Sequence, residues 1–213
     1  MNNTSSIITI GREYGSGGRQ IGKEIANYFG IKYYDKELLE HAANDSGICK
    51  ELFEHHDEKP TNSFLYSLVM DTYSFGYSSA GFSDMPMNHK IFLAQFDAIK
   101  KLAGEGPCVM VGRCADYALA DYKDCFSVFV HADFDWRINR IAAKYNKTPK
   151  EARDIITKTD KSRASYYNYY TNKKWGSAKS YNLCIDSSKY GIDNTVKAIV
   201  ESIKIFDSTK ASR

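Results

Sequence analysis

No stretch of the 213 residues approaches the run of about 20 apolar side chains that a helix needs to cross a bilayer. The opening Met1-Asn2-Asn3-Thr4-Ser5-Ser6 carries no basic segment, and Ile7-Ile8-Thr9-Ile10 is too short for a secretory signal core. A cytoplasmic protein is expected, with no membrane partner. The cysteines (Cys49, Cys108, Cys114, Cys125 and Cys184) form no C-x-x-C pair, and their odd number argues against a disulfide framework. Cys108 and Cys184 lie in apolar segments and read as buried thiols. The histidines lack metal-ligand spacing, and His55-His56-Asp57 reads as a solvated face, so no metal site is expected from protein ligands. There is no internal repeat, low-complexity tract or recognised nucleic-acid motif, and nucleic acid is not expected as a partner.

What remains is an ordinary globular composition, 43% hydrophobic and 26% charged, long enough for one α/β domain with a lid or insertion. The net charge of +3 is unevenly placed. Residues 134–179 hold 12 Lys and Arg against 4 Asp and Glu, and the rest of the chain is net acidic. A basic half suits a polyanionic ligand.

The chemistry concentrates near the start. Ile7-Ile8-Thr9-Ile10 reads as a buried strand, and Ile21, Ile25 and Phe29 recur at four-residue spacing along a helix. Between them runs Gly11-Arg12-Glu13-Tyr14-Gly15-Ser16-Gly17-Gly18-Arg19-Gln20. A helix start presents unpaired N–H groups and partial positive charge, and glycines let the backbone curl so that several N–H groups face one anion. The usual phosphate loop carries a lysine after its last glycine. Gly18 stands there instead, and Gln20 stands where a threonine would help hold magnesium. Arg19 is one step along, and Arg12 reaches in from the loop start, so either supplies the missing charge. The Gly-x-Gly-x-x-Gly spacing of a dinucleotide site is not met, because Gln20 takes the last position.

Short apolar strands are expected at Ile7–Ile10, Lys32–Tyr34, Cys108–Val111, Phe126–Val130 and Leu183–Ile185. Helical patterns alternate with them at about 18–29, 36–46, 89–103, 134–145 and 191–206, and another begins at the capping box Thr148-Pro149-Lys150-Glu151. This alternation implies a doubly wound parallel α/β sheet, with ligands beyond the carboxyl ends of the strands. The polar residues there are the glycine loop, Asp35, Gly112-Arg113, Asp133 and Asp186-Ser187-Ser188. Asp35 reads equally as a helix N-cap. Arg137 and Arg140 divide between solvated face and phosphate clamp, and Asp160 with Arg163 has the spacing of an intrahelical ion pair. Two stretches break the pattern. Residues 60–88 read as part of an insertion, either a substrate lid or a contact surface that leaves a homo-oligomer open. Ser162–Tyr181 is rich in tyrosine, and the tail from Asp207 reads as frayed.

Several pieces in order resemble the cytidylate kinase-like family, a branch of the P-loop nucleoside monophosphate kinases. They are Ile10-Gly11-Arg12-Glu13-Tyr14-Gly15-Ser16-Gly17-Gly18-Arg19, Tyr34-Asp35-Lys36-Glu37-Leu38 and Val111-Gly112-Arg113-Cys114-Ala115-Asp116-Tyr117, then Asp160-Lys161-Ser162-Arg163 with Tyr166-Tyr167, Trp175-Gly176 and Tyr181 through Ser188. The resemblance implies a single P-loop kinase-like domain over 1–213 with a five-stranded parallel sheet. It also implies an acceptor-binding insertion within 36–106 and a lid within 134–180. It implies phosphoryl transfer from ATP, with magnesium, to CMP, dCMP or a related small acceptor. Gly15, Ser16, Gly17, Gly18, Arg19 and Gln20, with Arg12, Arg137 and Arg140, would hold ATP. Asp35, Arg113, Asp116, Asp160 and Arg163 would hold the acceptor. Arg19, Arg113, Arg163 and Asp160 would carry the transfer.

The chain departs from the family pattern at Gly18. It departs again at Val111 and Cys114, which flank Gly112-Arg113 where the family has aspartates, and at Ile156-Thr157, where the first lid Arg-Asp pair falls. Asp116 lies two residues beyond the lost aspartate. These departures motivate an alternative, a nucleotide-binding regulatory or interaction protein without catalysis. A kinase for a different small acceptor is the third reading.

Overall fold

A computed structural model describes residues 3–47, 58 and 86–210. Cys49, His55-His56-Asp57 and most of the 60–88 stretch lie outside the described residues. Five strands form one sheet: β1 (Ile7–Arg12), β2 (Lys32–Tyr34), β3 (Cys108–Val111), β4 (Cys125–His131) and β5 (Leu183–Asp186). Every pairing is parallel and the order is β2-β3-β1-β4-β5. All five strands lie where the apolar runs predicted them.

Helices cover both faces, which is why β1 is buried residue after residue and does not alternate. Ile8 and Ile10 pack under α1 (Gly18–Phe29) and α7 (Ser187–Lys210), against Ile21, Ile25, Ile199 and Ile203. Ile7 and Met110 face the other way, onto Leu38 of α2 (Glu37–Ser46) and Ile99 and Leu102 of α3 (Met87–Gly104). The short α4 (Ala115–Ala118) closes this side through Ala115 and Ala118. Beyond the strand ends lie α5 (Phe134–Tyr145) and α6 (Pro149–Thr171). The capping box forms: the Glu151 amide donates to Thr148 Oγ1 at 3.3 Å, and the Thr148 amide donates to Glu151 Oε2 at 2.8 Å.

Three expectations change. Ser162–Thr171 does not break the pattern but continues α6, because Tyr166, Tyr167 and Tyr170 share a buried face packed on Phe92, Leu93 and Phe129. The last helix begins directly after β5, at Ser187, and bends at Gly191. It also runs through Asp207 to Lys210. Asp207 is held by the Thr4 and Ser6 hydroxyls at 2.6 and 2.5 Å, so the described tail is docked on the start of β1.

In this strand order β3 and β4 leave the two sides of β1, and the crevice opens where their connections part. The glycine loop, Gly112-Arg113 and Asp133 all lie at that end.

Candidate active site

The glycine loop leaves β1 and turns into α1 with Gly15 at φ 86° and Gly17 at φ 85°, in the left-handed region that side chains disfavour. The amide of Ile21 is the first to turn back, to Gly17 O at 2.9 Å. The amides of Gly18, Arg19 and Gln20 therefore belong to the first helical turn, which has no intrahelical acceptors. Ser16 is fully buried. Its hydroxyl donates to Glu13 O at 2.9 Å and its carbonyl accepts from Ser187 Oγ at 2.6 Å, so it ties the loop to α7.

Against this turn lies a cleft of about 510 Å³. Among the described residues, its walls carry the cations Arg12, Arg19, Lys23, Arg140, Lys144 and Arg163 against one carboxylate, Glu13. Gly15, Gly17, Gly18 and Gln20 also line it. Eight of the residues singled out from sequence are thus brought together: Arg12, Gly15, Gly17, Gly18, Arg19, Gln20, Arg140 and Arg163. Ser16, Asp35, Arg113, Asp116, Arg137 and Asp160 stand behind the walls.

All but Asp116 support residues of the cleft. Arg137 is buried rather than solvated. Its guanidinium donates to Ala132 O at 3.1 Å, to Tyr14 O at 3.2 Å and to Asp160 Oδ2 at 2.5 Å. Asp160 also accepts from the Tyr14 amide at 2.7 Å. The Tyr14 peptide is therefore gripped at both ends, by α5 and by α6. Asp160 makes this bridge in place of the intrahelical pair with Arg163. Asp35 does not cap α2, whose N-cap is Lys36 without a side-chain bond. Its carboxylate instead pairs with Arg19 and with Arg113, the latter at 3.1 Å.

Arg113 is reached by an unusual turn. Gly112, Arg113 and Cys114 have φ of 78°, 54° and 57° in succession. A left-handed non-glycine residue costs on the order of 1 kcal/mol. The turn folds the Arg113 side chain, 2% exposed, back onto Val111 O at 2.9 Å and onto Asp35. Arg113 thus anchors the end of β3 to the end of β2. Asp116 accepts from Tyr167 Oη at 2.7 Å, and burial pushes its carboxyl above the usual range.

Gly18 has a steric cause. A Cβ there would fall 2.6 Å from Arg12 Cβ and 3.2 Å from Arg12 Cγ. The arginine side chain crosses the place where the usual loop lysine would start. It ends at 2.7 Å on Glu58, which no motif or spacing singles out. Glu58 also takes Arg163 Nε at 2.9 Å. On the open side, Arg140 donates to Gln20 Oε1 at 2.7 Å and lies over the Trp136 ring. Asp133 caps α5 by accepting from the Trp136 amide at 3.0 Å. Burial and the neighbouring Tyr145 hydroxyl raise Tyr14 to about 12, while the Tyr14 hydroxyl draws Tyr145 down.

The loop and cleft fit a polyphosphate: free amides at a helix start, a glycine backbone open to close approach, and cations around it. Among the described residues no cluster of three or more His, Cys, Asp or Glu is placed to hold a metal. Magnesium suits this site only as a phosphate-bound, hydrated ion. Among the same residues no helix is long and apolar enough to cross a membrane.

Comparison with known proteins points the same way. The model of a family described as cytidylate kinase-like matches residues 7–189. A cytidylate kinase of Methanothrix thermoacetophila is 23% identical over 201 residues, covering 93% of this chain and 98% of its own. The crystal structure of an uncharacterised protein from Eubacterium ventriosum superposes with a TM-score of 0.70 at 29% identity, over 93% of this chain and 98% of that one. A gluconokinase from Sinorhizobium meliloti has a TM-score of 0.54 at 11% identity, over 98% and 97% of the two chains, and is alike in fold alone.

Proposed function

The chain belongs to the cytidylate kinase-like family, and on that premise we propose that it transfers the terminal phosphoryl group of ATP to a nucleoside monophosphate of the CMP or dCMP kind. The observation that carries this reading is the cationic cleft built on a glycine loop and the first turn of α1. In the transfer, an oxygen of the acceptor's phosphate bonds to the γ-phosphorus. The bond from that phosphorus to the β-phosphate oxygen breaks, and ADP leaves. The protein's share is positioning and charge stabilisation.

We assign the donor side to the amides of Gly17 to Gln20 with Arg19 and Arg140. Magnesium, when bound, neutralises the phosphates and is held by them. Arg163 and Arg12 face the transferring group. Asp35, Arg113, Arg137 and Asp160 act as positioning residues: Asp35 holds Arg19 and Arg113, and Arg137 and Asp160 hold the Tyr14 peptide. In this reading 36–106 contains the acceptor segment and 134–180 the lid of one domain.

A second reading has its own observation. The lysine position is glycine, and Arg12 and Arg163 are closed on Glu58. A protein that binds nucleotide without turning it over would have these features. One assay separates the two: ADP formation from ATP and magnesium across a panel of monophosphates and small hydroxyl acceptors, with ATP binding measured in parallel. Acceptor-dependent ADP formation that Arg163→Ala abolishes supports the kinase. Tight ATP binding with no acceptor-dependent ADP leaves the second reading standing.

A further inference from the structure

Glu58 meets four hydrogen-bond donors. Its Oε1 accepts from Arg12 Nη1 at 2.7 Å and from the Arg113 amide at 3.3 Å. Its Oε2 accepts from Arg163 Nε at 2.9 Å and from Arg12 Nη2 at 3.4 Å. Two guanidinium groups and one amide thus surround a single carboxylate. The cage has been given room. A Cβ on Gly112 would collide with both Arg12 Nη1 and Glu58 Oε1. Gly112 therefore admits the arginine, and its positive φ turns the next amide toward the anion.

The cage requires an anion. Arg12 and Arg163 are both largely buried, at 9% and 14% side-chain exposure, and burial and the neighbouring Arg12 lower the pKa of Arg163. Two such cations cannot stay together uncompensated. Burial alone would raise the Glu58 pKa, but Arg12, Arg163 and Arg113 hold it far below the usual carboxylate range, so the occupant is charged. Forked guanidinium donors with a backbone amide also form the donor set of a phosphate oxyanion, which offers three such oxygens and up to twice the charge. Arg12 and Arg163 line the cleft, so the cage adjoins it.

We propose that this cage is a phosphate-binding site on the acceptor side of the cleft and that the Glu58 carboxylate is its built-in competitor. Only the name of the ligand, the acceptor's phosphate, rests on the kinase reading. A phosphate monoester and Glu58 cannot occupy the same four donors. An acceptor bearing a dianionic phosphate displaces the carboxylate, and one without a phosphate does not. Glu58 therefore sets a threshold that selects for phosphate-bearing acceptors.

The test is calorimetric titration of the full chain, wild type and Glu58→Gln, with CMP, inorganic phosphate and ADP, without ATP so that no turnover intervenes. The glutamine variant is expected to bind CMP and inorganic phosphate at least tenfold more tightly, with ADP affinity unchanged within twofold. Equal or weaker binding of CMP and phosphate overturns the proposal. So does tightening confined to ADP, which would move the cage to the donor side. If Glu58→Gln does not fold, Glu58→Asp keeps the charge on a shorter arm and is expected to tighten phosphate in the same sense; unchanged affinity overturns the proposal. Melting curves add an independent reading. Phosphate should raise the midpoint of the variant more than that of the wild type, and an equal rise counts against the competition. Loss of ADP formation in the kinase assay would remove the proposed function and leave these binding results intact.

Discussion

Restoring the ordinary loop residue should damage this loop. Gly18 opens α1, where alanine in place of glycine normally stabilises by about 0.5–1 kcal/mol. Here the new Cβ would sit 2.6 Å from Arg12 Cβ, closer than real Cβ atoms come to other heavy atoms. Arg12 Cβ is fixed by the backbone of β1, which pairs with β4 through Arg12 and Val130, so no flexible side-chain end can yield. Overpacking of this kind costs about 1–3 kcal/mol. The net expectation for Gly18→Ala is a loss of about 1–2 kcal/mol, or roughly 2–8 °C in melting midpoint for a chain of this size. Gly18→Lys carries the same Cβ and should fare no better, despite returning the lysine. The control is Arg12→Gly, which removes the colliding atom. In that background Gly18→Ala should turn neutral or stabilising, giving a coupling of about 1–3 kcal/mol in a double-mutant cycle by urea denaturation. If Gly18→Ala stabilises the wild type, or acts equally in both backgrounds, the steric account of the missing lysine is wrong.

The other expectations concern the supports. Asp35→Asn removes one charged partner of the Arg113 guanidinium, 2% exposed, and should cost about 1.5–3 kcal/mol in denaturant unfolding. Asp160→Asn loosens the grip on the Tyr14 peptide and on Arg137; it should lower stability by about 2 kcal/mol and also weaken ATP binding, read by calorimetry. Arg140→Ala should weaken ATP binding about tenfold with little loss of stability, because the residue is only half-buried and its hydrogen-bond partner is the neutral Gln20. Asp116 has a folded pKa raised by burial, so its contribution is greatest below the unfolded carboxylate value and declines as pH rises through the folded one. Denaturation of wild type and Asp116→Asn across pH 4–8 should show the wild type losing ground on the alkaline side; a constant difference would refute the assignment.

The strands were legible because parallel strands covered on both faces appear as unbroken apolar runs, as in Ile7–Ile10 and Cys108–Val111. The glycine loop was legible for a similar reason: its chemistry is local. The tyrosine stretch misled because its composition drew attention away from its spacing, and Tyr166 and Tyr170 are four apart on one helix face. The choice of ionic partners was not legible. Arg12 and Glu58 are 46 residues apart, and Arg113 and Asp35 are 78 apart. Sequence spacing offers Asp160 a partner at Arg163, whereas the fold brings Arg137 closer. Gly18 looked like a deletion of function, when its cause is the side chain of a residue six positions earlier.

The charges at the mouth of the sheet divide into two groups. Arg12 and Arg163 share Glu58, Arg113 and Arg19 share Asp35, and Arg137 meets Glu13 and Asp160. Lys23, Arg140 and Lys144 have no carboxylate partner among the described residues, and all three line the cleft beside the loop. The uncompensated positive potential therefore lies where a triphosphate would enter, and its attraction needs no rearrangement. A second phosphate on the other side finds its arginines already satisfied and has to displace a carboxylate to reach them. The two halves of the cleft should accordingly differ in salt response. Nucleotide binding by the open lysines and Arg140 should weaken steeply as ionic strength rises, because exposed charges are screened. Phosphate binding at the Glu58 cage should respond far less, because one anion replaces another around buried guanidinium groups. Parallel salt titrations of ADP and CMP binding measure this contrast, and equal slopes would mean that both ligands use the same cations.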